Sequence, residues 1–374
     1  MLLALLSLPA AAQPPTLEAH ALLQTWLTAW DQDEDPQADP VSYGDPEHDV
    51  GFTLQRARLG LGGFLPSPAS LEHVTLSWDI TAGTDAPFDG LSAPDETLSL
   101  ESAVVGIHAR SGRYGSVTRV GLQRVFFGRD NAIPSADLVF QDRTIGTEWM
   151  LPTTSMGLTT APSLRLGSGD DSSWFAVKLG AFNATESLFD NAGGGMLAVA
   201  RLEYGLGEVN QTWSADGESA LGVGSSVAFH DIVATEAFLW DVDLLGRCKW
   251  VTLAGGMARS TVSPADTQFA SPTVPAETEQ MAVWGQLSGF VPIEGAQGVE
   301  IAARWDSFDD AGHREDNGDV ARITAGATWR DAVPLFDVGA GYVHREELNG
   351  VALKNDTVRV WVQVRPKIDI VSGD

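Results

Sequence analysis

The residues of this chain that could do chemistry are charged side chains at alternate positions of short apolar segments. In residues 357–365, T-V-R-V-W-V-Q-V-R, every second residue is a valine, and Arg359 and Gln363 lie between the valines. Alternation of this kind places apolar and charged side chains on opposite faces of a β-strand. If the charged faces line a wet passage, rings of Arg favour anions and rings of Asp or Glu favour cations. The candidate lining residues are Arg56, Arg58, Arg119, Arg304, Arg322, Arg359, Asp241, Asp243, Glu300 and Asp306.

Both signs of charge share these faces, and this leaves two interpretations open. The charges select ions, or they pair across neighbouring strands and only keep the interior wet. The second interpretation is the more ordinary one, because opposite charges on adjacent strands commonly pair. The preference for anions or cations stays open at this point.

Motifs of catalysis or metal binding are absent from the sequence. It contains no G-x-S-x-G, no H-E-x-x-H and no G-x-x-x-x-G-K-[ST]. Asp31, Asp33 and Asp35 resemble the start of a calcium-binding EF-hand loop, but Pro36 replaces the required glycine and Ser42 the required glutamate. We therefore predict no enzymatic activity, no cofactor and no metal site.

The charge of the chain excludes one class of partner. Its formal net charge is −27, from 23 Lys and Arg against 50 Asp and Glu. Nucleic acids bind proteins through Lys and Arg contacts to phosphates, so we predict no nucleic-acid partner. An acidic, strongly solvated exterior fits this charge.

The N-terminal region is divided into three parts. Residues 1–12 are apolar and end in Ala-Ala-Ala, which predicts a signal peptide. Leu22, Leu23, Trp26 and Leu27 have helical spacing, which predicts a short N-terminal helix over 17–30. With the acidic linker that follows, this region spans 13–50. The rest of the chain, 51–374, has a period of two.

The period and the connections between segments predict the fold class. No segment reaches the roughly 20 apolar residues of a transmembrane helix. We predict fifteen strands whose connections alternate between long, as at 82–98 and 259–279, and short, as at 246–247. Many apolar faces end in an aromatic residue, as in the girdles of outer-membrane barrels. We therefore predict an all-β transmembrane antiparallel barrel of about sixteen strands, with one further strand at 40–50 or 209–213.

The connection 127–153 is unusually long and apolar for a surface loop. It contains Ile133, Leu138, Val139 and Phe140. It either folds into the barrel and narrows the passage, or packs on the rim or at a subunit interface.

Several stretches resemble the phosphate-selective porin O/P family, in the order in which that family has them. They are 52–63, F-T-L-Q-R-A-R-L-G-L-G-G; 120–130, V-G-L-Q-R-V-F-F-G-R-D; 178–184, K-L-G-A-F-N-A; and 302–306, A-A-R-W-D. The chain departs from the family in having four lysines, Val125 in place of a proline, and Asp374 rather than an aromatic at the end. The resemblance implies a barrel and a passive pore, but not phosphate selectivity.

The expected function is that of a porin in the outer membrane of a Gram-negative bacterium. It would pass small hydrophilic solutes or inorganic ions, with anions as one open case. Its partners would be membrane lipid and two further copies of the chain in a homotrimer. Two alternatives stay open. One is a structural or adhesive barrel without conductance, and the other is a secreted soluble all-β protein that binds glycans.

Overall fold

The fold is described by a computed structural model. It describes residues 15–32, 50–65, 73–85, 99–140, 142–167, 173–184, 195–207, 209, 217–232, 235–264, 277–294, 297–312, 319–333, 335–348 and 355–371. The predicted signal peptide, most of the predicted linker and the predicted additional strand at 210–213 lie outside these residues.

Within these ranges the chain consists mainly of antiparallel strands, with three short helices between the fifth and sixth strands. The strands are β1 Thr16–Gln32, β2 Val50–Leu65, β3 Val74–Asp85, β4 Ser99–Ser111, β5 Tyr114–Arg124, β6 Thr154–Leu166, β7 Ser173–Asn183, β8 Met196–Leu206, β9 Ala220–Ile232, β10 Thr235–Cys248, β11 Val251–Pro264, β12 Thr278–Glu294, β13 Gln297–Asp309, β14 Val320–Val333, β15 Phe336–Glu347, β16 Asn355–Val364 and β17 Lys367–Val371. The helices are α1 Arg129–Ala132, a 3-10 helix Ser135–Asp137 and α2 Ile145–Met150.

The strands form one closed barrel. Each strand from β1 to β15 pairs with the next along the chain, and β1 also pairs with β16 and β17. β16 and β17 are interrupted only at 365–366 and occupy one place, so the barrel has sixteen strand positions. The predicted fold class is confirmed.

The predicted N-terminal helix is wrong, because residues 16–32 form β1, which closes the barrel. Leu22 and Trp26 are buried on the inward face of β1, while Leu23 is exposed on the outer face. With apolar residues on both faces, the period of two is hidden and helical spacing appears by coincidence. Pairing overrides it, since β2 and β16 would otherwise leave backbone groups unpaired in lipid. β1 is also the sixteenth strand, which the sequence analysis placed at 40–50 or 209–213.

Two connections are unusual in length. β8 and β9 are separated by 207–219, and β9 and β10 only by 233–234. Within the long connection, residues 207, 209 and 217–219 are described. Val209 is buried, and its carbonyl accepts a hydrogen bond from Arg129 Nη1 at 3.1 Å.

The outer face of the barrel is an apolar belt. Val120 and Ile301 are each 57% exposed, and Trp305, Trp329 and Tyr342 are also exposed there. None of the helices among the described residues is long and apolar enough to cross a membrane. A belt of this kind suits contact with lipid rather than water.

Candidate functional site

All ten candidate lining residues lie on the inward face of the barrel. Arg58 and Arg119 alternate with the exposed Leu59 and Val120, and Arg359 lies between the exposed Val358 and Val360. The same alternation holds in β10, β13 and β14.

The segment 125–153, here called the inner loop, lies in the lumen. It connects β5 and β6 and contains all three short helices. Carbonyl groups of the inner loop accept hydrogen bonds from inward side chains of β14. Thr328 donates to the carbonyl of Val139 at 3.3 Å, and Arg330 donates to that of Leu138 at 3.2 Å. Of the two positions predicted for this segment, the structure has the one inside the barrel.

Three arginines converge on one carboxylate of the inner loop. Asp142 is 1% exposed, and its oxygens lie 3.1 Å from Arg304 Nη2, 3.3 Å from Arg322 Nη1 and 3.3 Å from Arg359 Nη1. Burial alone would raise the pKa of the Asp142 carboxyl, but the three guanidinium groups outweigh burial and hold its pKa below the usual value. Asp142 therefore anchors the loop to β13, β14 and β16.

Asp306 extends this anchor. It accepts a hydrogen bond from the backbone N–H of Ile145 at 2.9 Å and pairs with Arg322 Nη2 at 2.8 Å. Arg359 also stacks on the ring of Trp26, with its guanidinium carbon 4.5 Å from the ring centroid. The arginines of this wall are thus held by Asp142 of the inner loop, by Asp306 and, in the case of Arg359, by Trp26.

The inner loop also bridges the junction of the first and last strands. Gln24 on β1 donates to Gln363 on β16, and both amides reach loop carbonyls. Gln24 donates to Ser135 at 3.4 Å, and Gln363 donates to Ala136 at 2.9 Å. Arg56 donates to Gln24 Oε1 at 2.8 Å. One candidate arginine thus supports this junction.

Glu300 belongs to a second buried group beside the first. Arg330 Nη2 lies 2.8 Å from Glu300, and Arg330 Nη1 lies 3.2 Å from Asp337. All three residues are at most 1% exposed. Arg365 Nη2 lies 3.5 Å from Asp337, so the two carboxylates are matched by two arginines. The three buried charges do not face a passage.

Asp241 and Asp243 belong to a third group, on the wall of β8 to β10. Asp243 lies 2.9 Å from Arg129 Nε of the inner loop and 2.6 Å from Arg201 Nη1. Asp241 lies 3.8 Å from Arg201, and Glu203 pairs with Lys178 at 2.7 Å. In these three groups the inward charges pair with one another across strands or with the inner loop.

An apolar core fills the lumen between the inner loop and the walls of β7 to β14. Such packing is unusual for a face that alternates with lipid-exposed residues, and it seals this side of the barrel. The loop contributes Val125, Phe127, Ile145, Met150 and Leu151, and the walls contribute Phe182, Leu197, Val199, Ala228, Leu239, Ala282, Phe308 and Val320.

The opposite side of the lumen is not covered by the inner loop, and we call it the open wall. Arg58 lies 3.1 Å from Glu101, with 15% and 17% of these side chains exposed. Arg119 is exposed, and Asp79 on the same wall acts on it electrostatically. The open wall comprises His20, Arg58, Asp79, Glu101, His108 and Arg119.

Sequence reasoning missed several residues that hold the lumen together. Arg129 and Asp142 lie in a segment without a period, so no pattern marked them as inward. Arg201 and Arg330 occupy alternate positions in β8 and β14, and strict application of the period would have found both.

One group of carboxylates could hold a cation. Ligand atoms of Asp309, Asp310 and Asp319, where β13 and β14 are connected, lie within 4.8 Å of one another. Acidic groups of this kind are common without an ion, and we assign no site to them.

No family model matches the chain, and no curated protein matches it in sequence. Solved structures match its fold. The OmpT outer membrane protein of Vibrio cholerae, in a trimer form, is 11% identical with a TM-score of 0.59, covering 94% of this chain and 100% of the other. The anion-selective porin from Comamonas acidovorans gives the same identity, TM-score and coverage. The outer membrane channel DcaP of Acinetobacter baumannii is 12% identical with a TM-score of 0.56, covering 94% and 98%. At these identities the similarity establishes a porin-like barrel fold.

Proposed function

We propose that this chain is a porin of the outer membrane of a Gram-negative bacterium, through which small hydrophilic solutes and inorganic ions diffuse passively. The passage runs between the inner loop and the open wall. The observation that carries the proposal is the asymmetry of the lumen, in which one half is packed and the other presents solvated charges. The apolar outer belt supports membrane insertion.

We infer a preference for anions. Arg119 is the exposed guanidinium of the open wall, and most carboxylates of the lumen are paired and buried elsewhere. An exposed cation in a narrow passage attracts anions and repels cations. The Comamonas acidovorans porin, which has a similar fold, is described as anion-selective. The earlier resemblance to the phosphate-selective O/P family stays a prediction, and selectivity for phosphate is not part of this proposal.

We extend the proposal to a homotrimer without enzymatic activity or cofactor. The fold is shared with the trimer form of the Vibrio cholerae protein. A closed barrel with an apolar belt can present the same outer surface to lipid and to a second barrel.

A structural barrel without conductance is the second candidate. The apolar core and the paired charges of the packed half favour it, because they are what a plug requires. The two candidates differ in whether the open wall borders a continuous passage.

Conductance of the purified protein in planar lipid bilayers distinguishes these candidates. A passive porin gives discrete, voltage-tolerant steps, and in a salt gradient its reversal potential has the sign of anion permeation. Correctly inserted protein, identified by heat-modifiable gel migration, that opens no steps would refute the porin and favour the structural barrel.

A further inference from the structure

Two histidines of the open wall lie on either side of one carboxylate. The inward row of β3 is Ser77, Asp79 and Thr81. His20 Nε2 lies 3.0 Å from Thr81 Oγ1 and 3.5 Å from Asp79 Oδ2. His108 Nε2 lies 2.7 Å from Ser77 Oγ. Each neighbour of Asp79 in this row is therefore in contact with an imidazole.

The carboxylate between them is held in place but accessible. Thr81 Oγ1 donates to Asp79 Oδ1 at 3.2 Å, and Ser102 Oγ donates to the same oxygen. Asp79 is 41% exposed and His20 is 34% exposed. Ions in the passage therefore meet this cluster directly, unlike the buried groups of the packed half.

The charged groups around the two imidazoles cancel. Arg58 on β2 pairs with Glu101 on β4, and Lys367 on β17 pairs with Glu18 on β1 at 2.8 Å. The other charged groups facing the imidazoles from these strands and from β5 are Asp79, Arg110, Arg119 and Asp369, which lies opposite Glu18.

Four cations thus stand against four carboxylates, and these groups carry no net charge while both histidines are neutral. Protonation of both imidazoles would give them a net charge of two. Histidine is the side chain whose charge normally changes between about pH 5 and 8. Groups this exposed change the local concentration of ions within roughly one Debye length, about 10 Å at 0.1 M salt.

We propose that His20 and His108 are selectivity-determining residues of the passage, which becomes more permeable to anions as they are protonated. This rests on the proposed porin function. The ligands concerned are small inorganic ions, and the role of the histidines is to set the sign and size of the charge that these ions meet. Their inward position on β1 and β4, beside the inward row of β3, produces the effect, rather than any strain or rearrangement.

The test uses reversal potentials of the full-length protein in planar bilayers, with a tenfold KCl gradient at pH 8, 7, 6 and 5. We expect the ratio of chloride to potassium permeability to rise roughly two- to tenfold from pH 8 to pH 5, as two positive charges are added. The double variant His20→Gln, His108→Gln should lose most of this rise, and each single variant should lose part of it.

His344→Gln is the matched control. His344 lies on the outer face of β15, with its Nδ1 2.7 Å from Asp356, away from the passage. This variant should keep the rise of the parent protein. A parent whose permeability ratio is constant from pH 8 to pH 5, or a double variant that keeps the rise, would overturn the role of the histidines alone. Protein that inserts but opens no channels would overturn the proposed function as well.

Discussion

Asp142 and Arg359 are 217 residues apart in the chain, yet their side chains lie 3.3 Å apart inside the barrel. Arg304 and Arg322 complete the set of cations around the same carboxylate. A loop that leaves the barrel wall after β5 is therefore held by the last strands of the chain. This contact separates the packed half of the lumen from the open wall.

Replacing Asp142 with Asn should release the inner loop. The substitution removes the charge that three guanidinium groups share, two of them buried, and breaking a buried ion pair costs roughly 3–5 kcal/mol. We expect single channels whose conductance is larger and noisier than that of the parent, together with a lower thermal midpoint in the heat-modifiable gel assay.

Asp137→Asn is the control for this change. Asp137 also belongs to the inner loop, but it is 20% exposed and lies 3.4 Å from Arg365, which is itself 22% exposed. Partly exposed pairs contribute little to stability. Parent-like conductance in Asp142→Asn would show that the anchor does not position the loop.

The anchor should withstand moderate acid. The pKa of Asp142 is held below its usual value, about 3.9 in an unfolded chain, because the arginines outweigh burial. Its stabilisation is present above that value and is lost as the pH falls through the lower folded pKa. The conductance of the parent and of Asp142→Asn should therefore differ equally at pH 7 and pH 5 and converge only below about pH 4. Convergence already at pH 5 would contradict the depressed pKa.

Neutralising Arg119 should shift the selectivity of the passage. Arg119→Gln removes the exposed guanidinium of the open wall, so the reversal potential should move toward cations. Arg259→Gln removes an arginine of similar exposure on the outer face, paired with Glu279, and should leave the reversal potential unchanged. Equal effects of the two substitutions would remove Arg119 from the pathway.

A charge on the outer face of β1 should destabilise the barrel. Leu23 is 44% exposed there, and an arginine facing the middle of the bilayer costs roughly 2–4 kcal/mol. Leu23→Arg should lower the midpoint of urea unfolding in lipid vesicles. Tyr114→Arg, at the end of β5, should cost only about 0–1 kcal/mol because the cost falls near the interface. If residues 16–32 lay outside the barrel, Leu23→Arg would cost no more than Tyr114→Arg.

Gly339 should not tolerate a side chain. A Cβ at this position would overlap the indole ring of Trp361, which lies flat against β15 in the lumen. Gly339→Ala should cost roughly 1–3 kcal/mol by overpacking. Gly285→Ala on β12 has no atom within 4 Å of the new methyl group and should be close to neutral. Thermal midpoints of the two variants in the gel assay provide the comparison.

The alternation of residues, together with the alternation of long and short connections, predicted the barrel and many of its inward residues. Arg304, Arg322 and Arg359 each follow from a period of two that is enforced by lipid on one side. Their shared partner Asp142 was out of reach, because its position is determined by contacts with strands more than 150 residues away.

The first strand was missed for a different reason. Leu22 and Trp26 face a lumen that is locally packed rather than wet, so β1 has apolar residues on both faces. Wherever the interior of a barrel becomes a core, the contrast on which the period depends disappears. The strand prediction therefore fails where the inner loop packs against the barrel wall.

Because half of the lumen is packed, the perimeter of the barrel in the bilayer no longer determines the diameter of the passage. In an empty barrel, the number of strands determines both the perimeter in the bilayer and the diameter of the hole. Here the inner loop occupies one side, so the cross-section available to solutes depends on its length and packing. Substitutions at Phe127, Ile145 or Met150 can therefore change the diameter of the passage while the perimeter of the barrel and its contact with lipid stay the same.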